Sequence, residues 1–205
     1  EPAGGFRAAH NIPKETFLAV YSGNLGRKQG LGILIEAAAL LREQDSPEAR
    51  NVLLVIAGNG AERGELERQV ERQGLSNVRL LPLQPGGLYR AMLHEADLCL
   101  VTQQKGSGAL FFPSKLLNIL AEARPVLTVA DGESELRRAV GESGCGLNVE
   151  PGDADGMARA LLELANRRSE LQQMGAYGRK WVEQFSRERI LDAFEDELNT
   201  LTSSG

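Results

Sequence analysis

A basic, glycine-containing segment follows the first apolar run of the sequence and could hold an anion. It covers residues 22–30 and includes Gly23, Arg27 and Lys28. Glycine allows the backbone to approach a phosphate group closely, and the two basic side chains add positive charge. The segment fits neither the GxGxxG dinucleotide pattern nor the GxxxxGK[S/T] phosphate pattern. A surface turn with two solvated basic residues therefore remains the alternative interpretation.

A second segment, residues 103–115, combines a flexible loop with a predicted helix start. The small residues of its loop are Gly106, Ser107 and Gly108. A helix is predicted to begin at Ser114 and Lys115, and its free N–H groups, the hydroxyl and the ammonium together suit a diphosphate. Phe111 and Phe112 either anchor the loop to the core or contact an apolar or sugar ligand.

Alternating strands and helices must position these two segments. Short apolar runs occur at 17–21, 52–57, 78–81, 98–101, 126–129 and 146–149. Amphipathic, helix-length segments occur at 31–43, 61–73, 87–95, 114–123, 133–142 and 155–166. Continuous apolar runs are typical of parallel strands that are buried on both faces. The sequence therefore predicts an α/β fold with a doubly wound parallel sheet, in which ligands bind at the carboxyl ends of the strands.

The two ends of the sequence lack this strand pattern. Residues 168–200 predict C-terminal helices that break near Gly175 and near Ser186. The aromatic and apolar residues expected to face inward there are Trp181, Phe185, Ile190 and Phe194. We expect residues 1–11 to be a linker or N-terminal extension and residues 201–205 to be a tail.

Composition and charge disfavour several classes of protein. The 205 residues are 42% hydrophobic and 25% charged, which are ordinary values for a globular protein. A net charge of −5 disfavours a nucleic-acid surface, which needs a basic footprint. Cys99 and Cys145 are predicted to be core residues. The spacing of these cysteines and of His10 and His94 does not match that of metal ligands. No apolar run approaches the roughly 20 residues of a membrane span.

The order of several short motifs resembles the second half of the family 4, or group 1, glycosyltransferases of GT-B fold. These motifs are segments 21–25, 28–30, 55–60, 74–81, 96–101, 113–121, 124–126, 144–149 and 177–186. The resemblance extends over residues 12–200, which it identifies as a Rossmann-like, donor-binding C-terminal GT-B domain. The Pro-Ser-Lys-Leu-x-Asn form at 113–118 is most similar to the bacterial branch that makes O-antigen, capsule and colanic-acid-like polysaccharides.

The resemblance implies a retaining hexosyl transfer from a UDP- or GDP-sugar, with no metal and no cofactor. By position, four residues would contact the donor diphosphate: Gly23, Lys28, Ser114 and Lys115. Leu83 and Gln84 would contact the base, and Asn118 the ribose. Residues 106–108 would form the donor-sugar loop. The resemblance assigns no catalytic residue here.

The family pattern also implies an acceptor-binding domain, and residues 1–11 are too short to form one. An N-terminal acceptor domain of a longer protein would bind a lipid-linked or glycan acceptor at the inner face of the cytoplasmic membrane. We expect the present chain alone to be inactive and to bind no nucleic acid.

Three positions depart from the family pattern. Asn24 stands where the family has Arg, and Leu110 and Asn118 stand where it has a pair of Glu residues. Asn118 can still bond hydroxyl groups, but Leu110 cannot. Lys105 or the backbone of 106–108 could replace part of the lost sugar contact. A nucleotide-sugar-binding module without transferase activity and a GT-B-type sugar-nucleotide epimerase therefore remain alternatives.

Overall fold

Six parallel strands form one sheet in the computed structural model, which describes residues 5–107 and 114–185. The strands are β1 (Phe17–Asn24), β2 (Val52–Asn59), β3 (Val78–Leu81), β4 (Leu98–Thr102), β5 (Val126–Val129) and β6 (Gly146–Val149). Their order across the sheet is β3-β2-β1-β4-β5-β6, and all neighbouring pairs are parallel. The predicted doubly wound parallel sheet is confirmed.

Helices connect the strands and cover both faces of the sheet. They are α1 (Phe6–Ala9), α2 (Gly32–Glu43), α3 (Pro47–Arg50), α4 (Arg63–Gln73), α5 (Gly86–Glu95), α6 (Ser114–Ala121), α7 (Glu135–Ser143), α8 (Ala154–Asn166) and α9 (Arg168–Val182). Short 3-10 turns occupy Arg27–Gln29 and Glu183–Phe185. Within the described ranges, no helix has the length and apolar character needed to cross a membrane.

Each strand of the sheet centre contributes side chains to two separate cores. Ala19 and Tyr21 of β1 pack in a core with residues of α2 and α8, whereas Leu18 and Val20 pack in a second core with residues of α5 and α6. Successive side chains of a strand point to opposite faces. Burial of both faces therefore explains why the strands read as continuous apolar runs.

The connections reverse direction between β1 and β4, which are neighbours in the sheet but not in the sequence. The ladder between these strands pairs Ala19–Tyr21 with Leu98–Leu100. Both strands continue beyond this ladder, β1 to Asn24 and β4 to Thr102. Their carboxyl ends therefore flank a crevice at the point where ligands bind in open α/β sheets.

The C-terminal helices differ from the prediction at two residues. Helix α9 runs without a break through Gly175, where an added Cβ would lie 2.1 Å from the carbonyl oxygen of Ala123. This glycine permits close packing rather than ending the helix. Phe185 is 45% exposed, so its prediction as an inward residue is wrong; its ring contacts Trp181 instead. The predicted break near Ser186 and the predicted inward residues Ile190 and Phe194 lie outside the described residues.

The described part of segment 1–11 packs against the sheet domain. Phe6 is fully buried, and its backbone N–H donates to the Glu95 carboxylate at 3.0 Å. The Arg7 guanidinium pairs with Asp97 at 2.8 Å. Burial and ion pairing therefore fix residues 5–11 to the region around the end of α5.

Candidate functional site

A cleft of about 690 Å³ opens at the carboxyl ends of β1 and β4. The turn after β1, the loop after β4 and the start of α6 form its walls. The predicted site residues that line it are Lys28, Gly106, Ser107, Ser114 and Lys115. The two segments that sequence analysis singled out thus meet in one cleft, although they are far apart in the chain.

Gly23 lies directly beside the ammonium group of Lys115. A Cβ added at Gly23 would come within 2.5 Å of Lys115 Nζ, and the φ angle of this glycine is +146°. A side chain at this position would therefore displace the ammonium and strain the backbone. Gly23 leaves the space into which Lys115 reaches.

Lys115 is a mostly buried cation at the start of α6. Its Nζ lies 4.0 Å from the centroid of the Tyr21 ring, a cation–π arrangement. Burial lowers the pKa of Lys115 from 10.5 to about 8. The Tyr21 hydroxyl donates to the Asn24 carbonyl oxygen at 2.8 Å, and burial raises the pKa of this phenol.

No ion pair found among residues 5–107 and 114–185 involves Lys115. A desolvated ammonium without a carboxylate partner is costly, and an anionic ligand offsets that cost. The free N–H groups of the first turn of α6 add to the same preference for an anion.

One backbone hydrogen bond joins the two loops of the cleft, and two further hydrogen bonds fix the loop after β4. The Gln104 N–H donates to the Lys28 carbonyl oxygen at 2.9 Å. The Ser107 hydroxyl donates to the Gln104 carbonyl oxygen at 2.6 Å, and the Gly106 N–H donates to the Asp131 carboxylate at 2.7 Å. These contacts hold the backbone of Lys28 and of the loop after β4 in one arrangement, while the Lys28 side chain is exposed.

Thr102 also lines the cleft, and sequence analysis missed it. It is the last residue of β4 and only 1% exposed, and its hydroxyl has no hydrogen-bond partner in the part of the chain that the structure describes. The available signal was a polar residue at the end of an apolar strand. Such a residue could equally have belonged to the following loop.

The predicted base and ribose residues lie outside this cleft. Asn118 lines a separate groove of about 850 Å³ between α5 and α6. The side-chain amide of Gln84 donates to the Pro82 carbonyl oxygen at 2.7 Å, while Leu83 is 59% exposed. The structure thus brings together the predicted diphosphate residues, but not the predicted base and ribose residues. Gly108 and Leu110 lie outside the described residues.

The cysteines and one histidine are the other side chains that could react, and they are either buried or paired with a charged neighbour. Cys99 and Cys145 are buried and free, and burial raises the pKa of Cys99 to about 12. His94 Nε2 pairs with Glu122 at 2.9 Å on the α5–α6 groove. A search of the described ranges finds no group of three His, Cys, Asp or Glu residues that could hold a metal ion.

Comparison with curated proteins finds bacterial relatives. The chain is 36% identical over 126 residues to the putative colanic acid biosynthesis glycosyl transferase WcaI of Escherichia coli K12, covering 62% of this chain and 30% of that protein. It is 27% identical over 188 residues to the O-antigen chain mannosyltransferase C of Escherichia coli, covering 86% and 44%. The chain thus spans less than half the length of these two relatives.

Comparison with a solved structure supports the fold, and comparison with protein families gives the family. HepE of Anabaena, solved with UDP and glucose, aligns with a TM-score of 0.72 at 18% identity, over 96% of this chain and 51% of that one. This similarity supports the fold expected for one Rossmann-like domain of a GT-B protein. The family model described as "Glycosyl transferases group 1" matches residues 5–181. The chain therefore belongs to the group 1 family of glycosyl transferases.

Proposed function

We propose that this chain is the donor-binding domain of a retaining glycosyltransferase. It would bind a nucleoside diphosphate sugar and supply that sugar to a polysaccharide or lipid-linked acceptor. The observation that carries the proposal is the mostly buried Lys115 ammonium, which faces Gly23 at the β1–β4 crevice without a carboxylate partner in the described ranges. A leaving diphosphate would supply the missing negative charge.

The chemistry of the cleft is consistent with a leaving group of this kind. Negative charge develops on the diphosphate as the bond to the sugar breaks, and fixed donors that face this charge lower the barrier by several kcal/mol. Lys115 and the first turn of α6 would be such donors, and the exposed Lys28 side chain would add positive charge to the cleft. We therefore expect the cleft to bind a diphosphate without a metal ion.

The relatives support the substrate classes. HepE was solved with UDP and glucose, which favours a UDP- or GDP-sugar as the donor here. The names of the two bacterial relatives favour a surface polysaccharide as the product. The acceptor would be held by an N-terminal domain of a longer protein, peripheral to the inner face of the cytoplasmic membrane.

Calorimetric titration of the chain with UDP and with GDP tests the donor site. We expect saturable binding of one nucleotide, with the same affinity in magnesium and in EDTA. Lys115→Met, which removes the charge and keeps the length, should weaken binding at least about tenfold. The matched control is Lys14→Met, an exposed lysine that precedes β1 and should leave the affinity unchanged. Wild-type affinity in Lys115→Met would contradict the proposal.

A second candidate is a nucleotide-sugar-binding module without transferase activity. The observation that favours it is the pair Leu110 and Asn118, which replaces two family Glu residues. The two candidates differ in turnover. Release of UDP or GDP from the donor by the longer protein, in the presence of a lipid-linked acceptor, would support the transferase; tight donor binding without release would support the module.

A further inference from the structure

The hydroxyl of Thr102 is an unsatisfied polar group in a buried position. Thr102 is 1% exposed, and Oγ1 has no hydrogen-bond partner among the described residues. A buried polar group without a partner costs roughly 1–3 kcal/mol, so such groups are uncommon in folded proteins. A valine would have the same shape without that cost.

The sheet places this hydroxyl on the same face as the cation of the cleft. The β1–β4 ladder pairs Tyr21 with Leu100, and Gly23 and Thr102 each follow two residues later in their own strands, on the face of those partners. Residues at matching positions of neighbouring parallel strands present their side chains on one face. The side-chain face of Gly23 is the one that Lys115 Nζ occupies.

Thr102 Oγ1 and Lys115 Nζ therefore belong to the same end of the crevice. Thr102 also lines the cleft together with Lys28, Ser114 and Lys115. A group bound between the strand ends would contact a hydroxyl donor and an ammonium donor from the same side. Phosphate oxygens accept hydrogen bonds from both kinds of donor.

We propose that Thr102 is a ligand-contacting residue, whose hydroxyl donates a hydrogen bond to a phosphate oxygen of the bound nucleoside diphosphate. This inference rests on the proposed function and adds to it a residue outside the predicted site. A phosphate oxygen would supply the hydrogen-bond partner that the Thr102 hydroxyl lacks among the described residues.

The test compares two valine substitutions in neighbouring strands. Thr102→Val removes a hydroxyl without a partner. Thr128→Val removes a fully buried hydroxyl that donates to Asn148 Oδ1 at 2.7 Å. Both variants keep the β-branched shape, so they differ only in what the hydroxyl contacts. Thr102→Ser retains the hydroxyl and serves as the rescue variant.

We expect opposite effects on stability and affinity. Without nucleotide, Thr102→Val should melt at or above the wild-type temperature, whereas Thr128→Val should melt below it. Titrated with UDP and GDP, Thr102→Val should bind about tenfold more weakly than wild type, since a hydrogen bond to a charged group is lost. Thr128→Val and Thr102→Ser should bind with nearly wild-type affinity.

Two outcomes would overturn the inference in distinguishable ways. If the wild-type chain binds UDP or GDP and Thr102→Val binds it equally well, the Thr102 contact is wrong and the donor site stands. If the wild-type chain binds neither nucleotide, the proposed function and the Thr102 contact both fail.

Discussion

Lys115 is the residue on which the candidate site depends most. Its ammonium lies over the Tyr21 ring and beside Gly23, at a distance that leaves no room for a side chain at that glycine. Burial destabilises the charged form and lowers the pKa of Lys115 to about 8. Its charge can therefore be lost in mildly alkaline solution, unlike that of an exposed lysine.

The affinity of the cleft for an anion should consequently depend on pH. The terminal phosphate of a nucleoside diphosphate is ionised above roughly pH 7. Binding to protonated Lys115 should be almost fully present at about pH 7, should fall by about half at pH 8 and should be weakened by about tenfold at pH 9, because the pKa of Lys115 is about 8. Calorimetry across this range measures the change.

Two variants separate this effect from a general loss of affinity. Lys115→Met should bind weakly at every pH, and Lys115→Arg, which stays charged, should bind with no pH dependence in this range. A wild-type affinity that is constant between pH 7.5 and 9 would show that the titrating ammonium does not hold the ligand.

At the scale of elements, the close approach of α9 to the rest of the domain depends on Gly175. A Cβ at this position would lie 2.1 Å from the Ala123 carbonyl oxygen, and backbone can yield only by moving the helix. We expect Gly175→Ala to lower the free energy of unfolding by roughly 1–3 kcal/mol, as overpacked core substitutions do. Urea denaturation followed by circular dichroism measures the loss.

Gly141 of α7 is the matched control. It is also a helical glycine, but a Cβ there would meet nothing within 4 Å. Gly141→Ala should raise the free energy of unfolding by about 0.5–1 kcal/mol through helix propensity. Equal stability of the two variants would contradict the packing explanation. Neither variant should change nucleotide affinity.

The same glycines show how far sequence predicts these elements. Periodicity and apolar runs predicted every strand, because burial on both faces leaves a strong pattern. β1 and β2 were predicted to end too early, because both strands continue through a glycine. These glycines, Gly23 and Gly58, pair with each other in the sheet. A glycine in a strand or helix resembles a turn signal until the neighbouring backbone is known. Gly175 was assigned to a helix break for the same reason.

The candidate site was predictable only in part. Lys28, Ser114 and Lys115 carry charge or a helix start at strand ends, and such local signals place them near one sheet edge. The positions of Asn118, Leu83 and Gln84 depend on how α5 and α6 pack, which no local pattern specifies. Thr102 became visible only through the missing hydrogen bond of a buried hydroxyl.

At the scale of the whole molecule, the chain spans only part of the length of the proteins that it resembles. It covers 30% of WcaI and 51% of HepE. Transfer requires a donor and an acceptor in contact, so chemistry would occur only where this cleft faces a second domain. The proposed role of Lys115 in that chemistry can be separated from its role in binding.

In the longer protein, Lys115→Met should lower kcat by about 10²–10³, as loss of a donor to developing negative charge does. Steady-state kinetics with the donor identified by calorimetry would measure kcat and KM separately. The exposed Lys14→Met variant should retain both constants. An unchanged kcat with a raised KM would show that Lys115 binds the ground state and transition state equally.

The docking of residues 5–11 has a consequence for how such a second domain can be attached. Arg7 pairs with Asp97, which precedes β4, so this segment is anchored at the amino edge of the sheet. The cleft lies at the opposite edge, beyond the eight residues of β1. At about 3.3 Å per residue, the eight residues of β1 separate these two edges by roughly 26 Å. In the longer protein proposed above, the connection to an N-terminal acceptor domain would therefore enter at the edge of the sheet opposite the cleft.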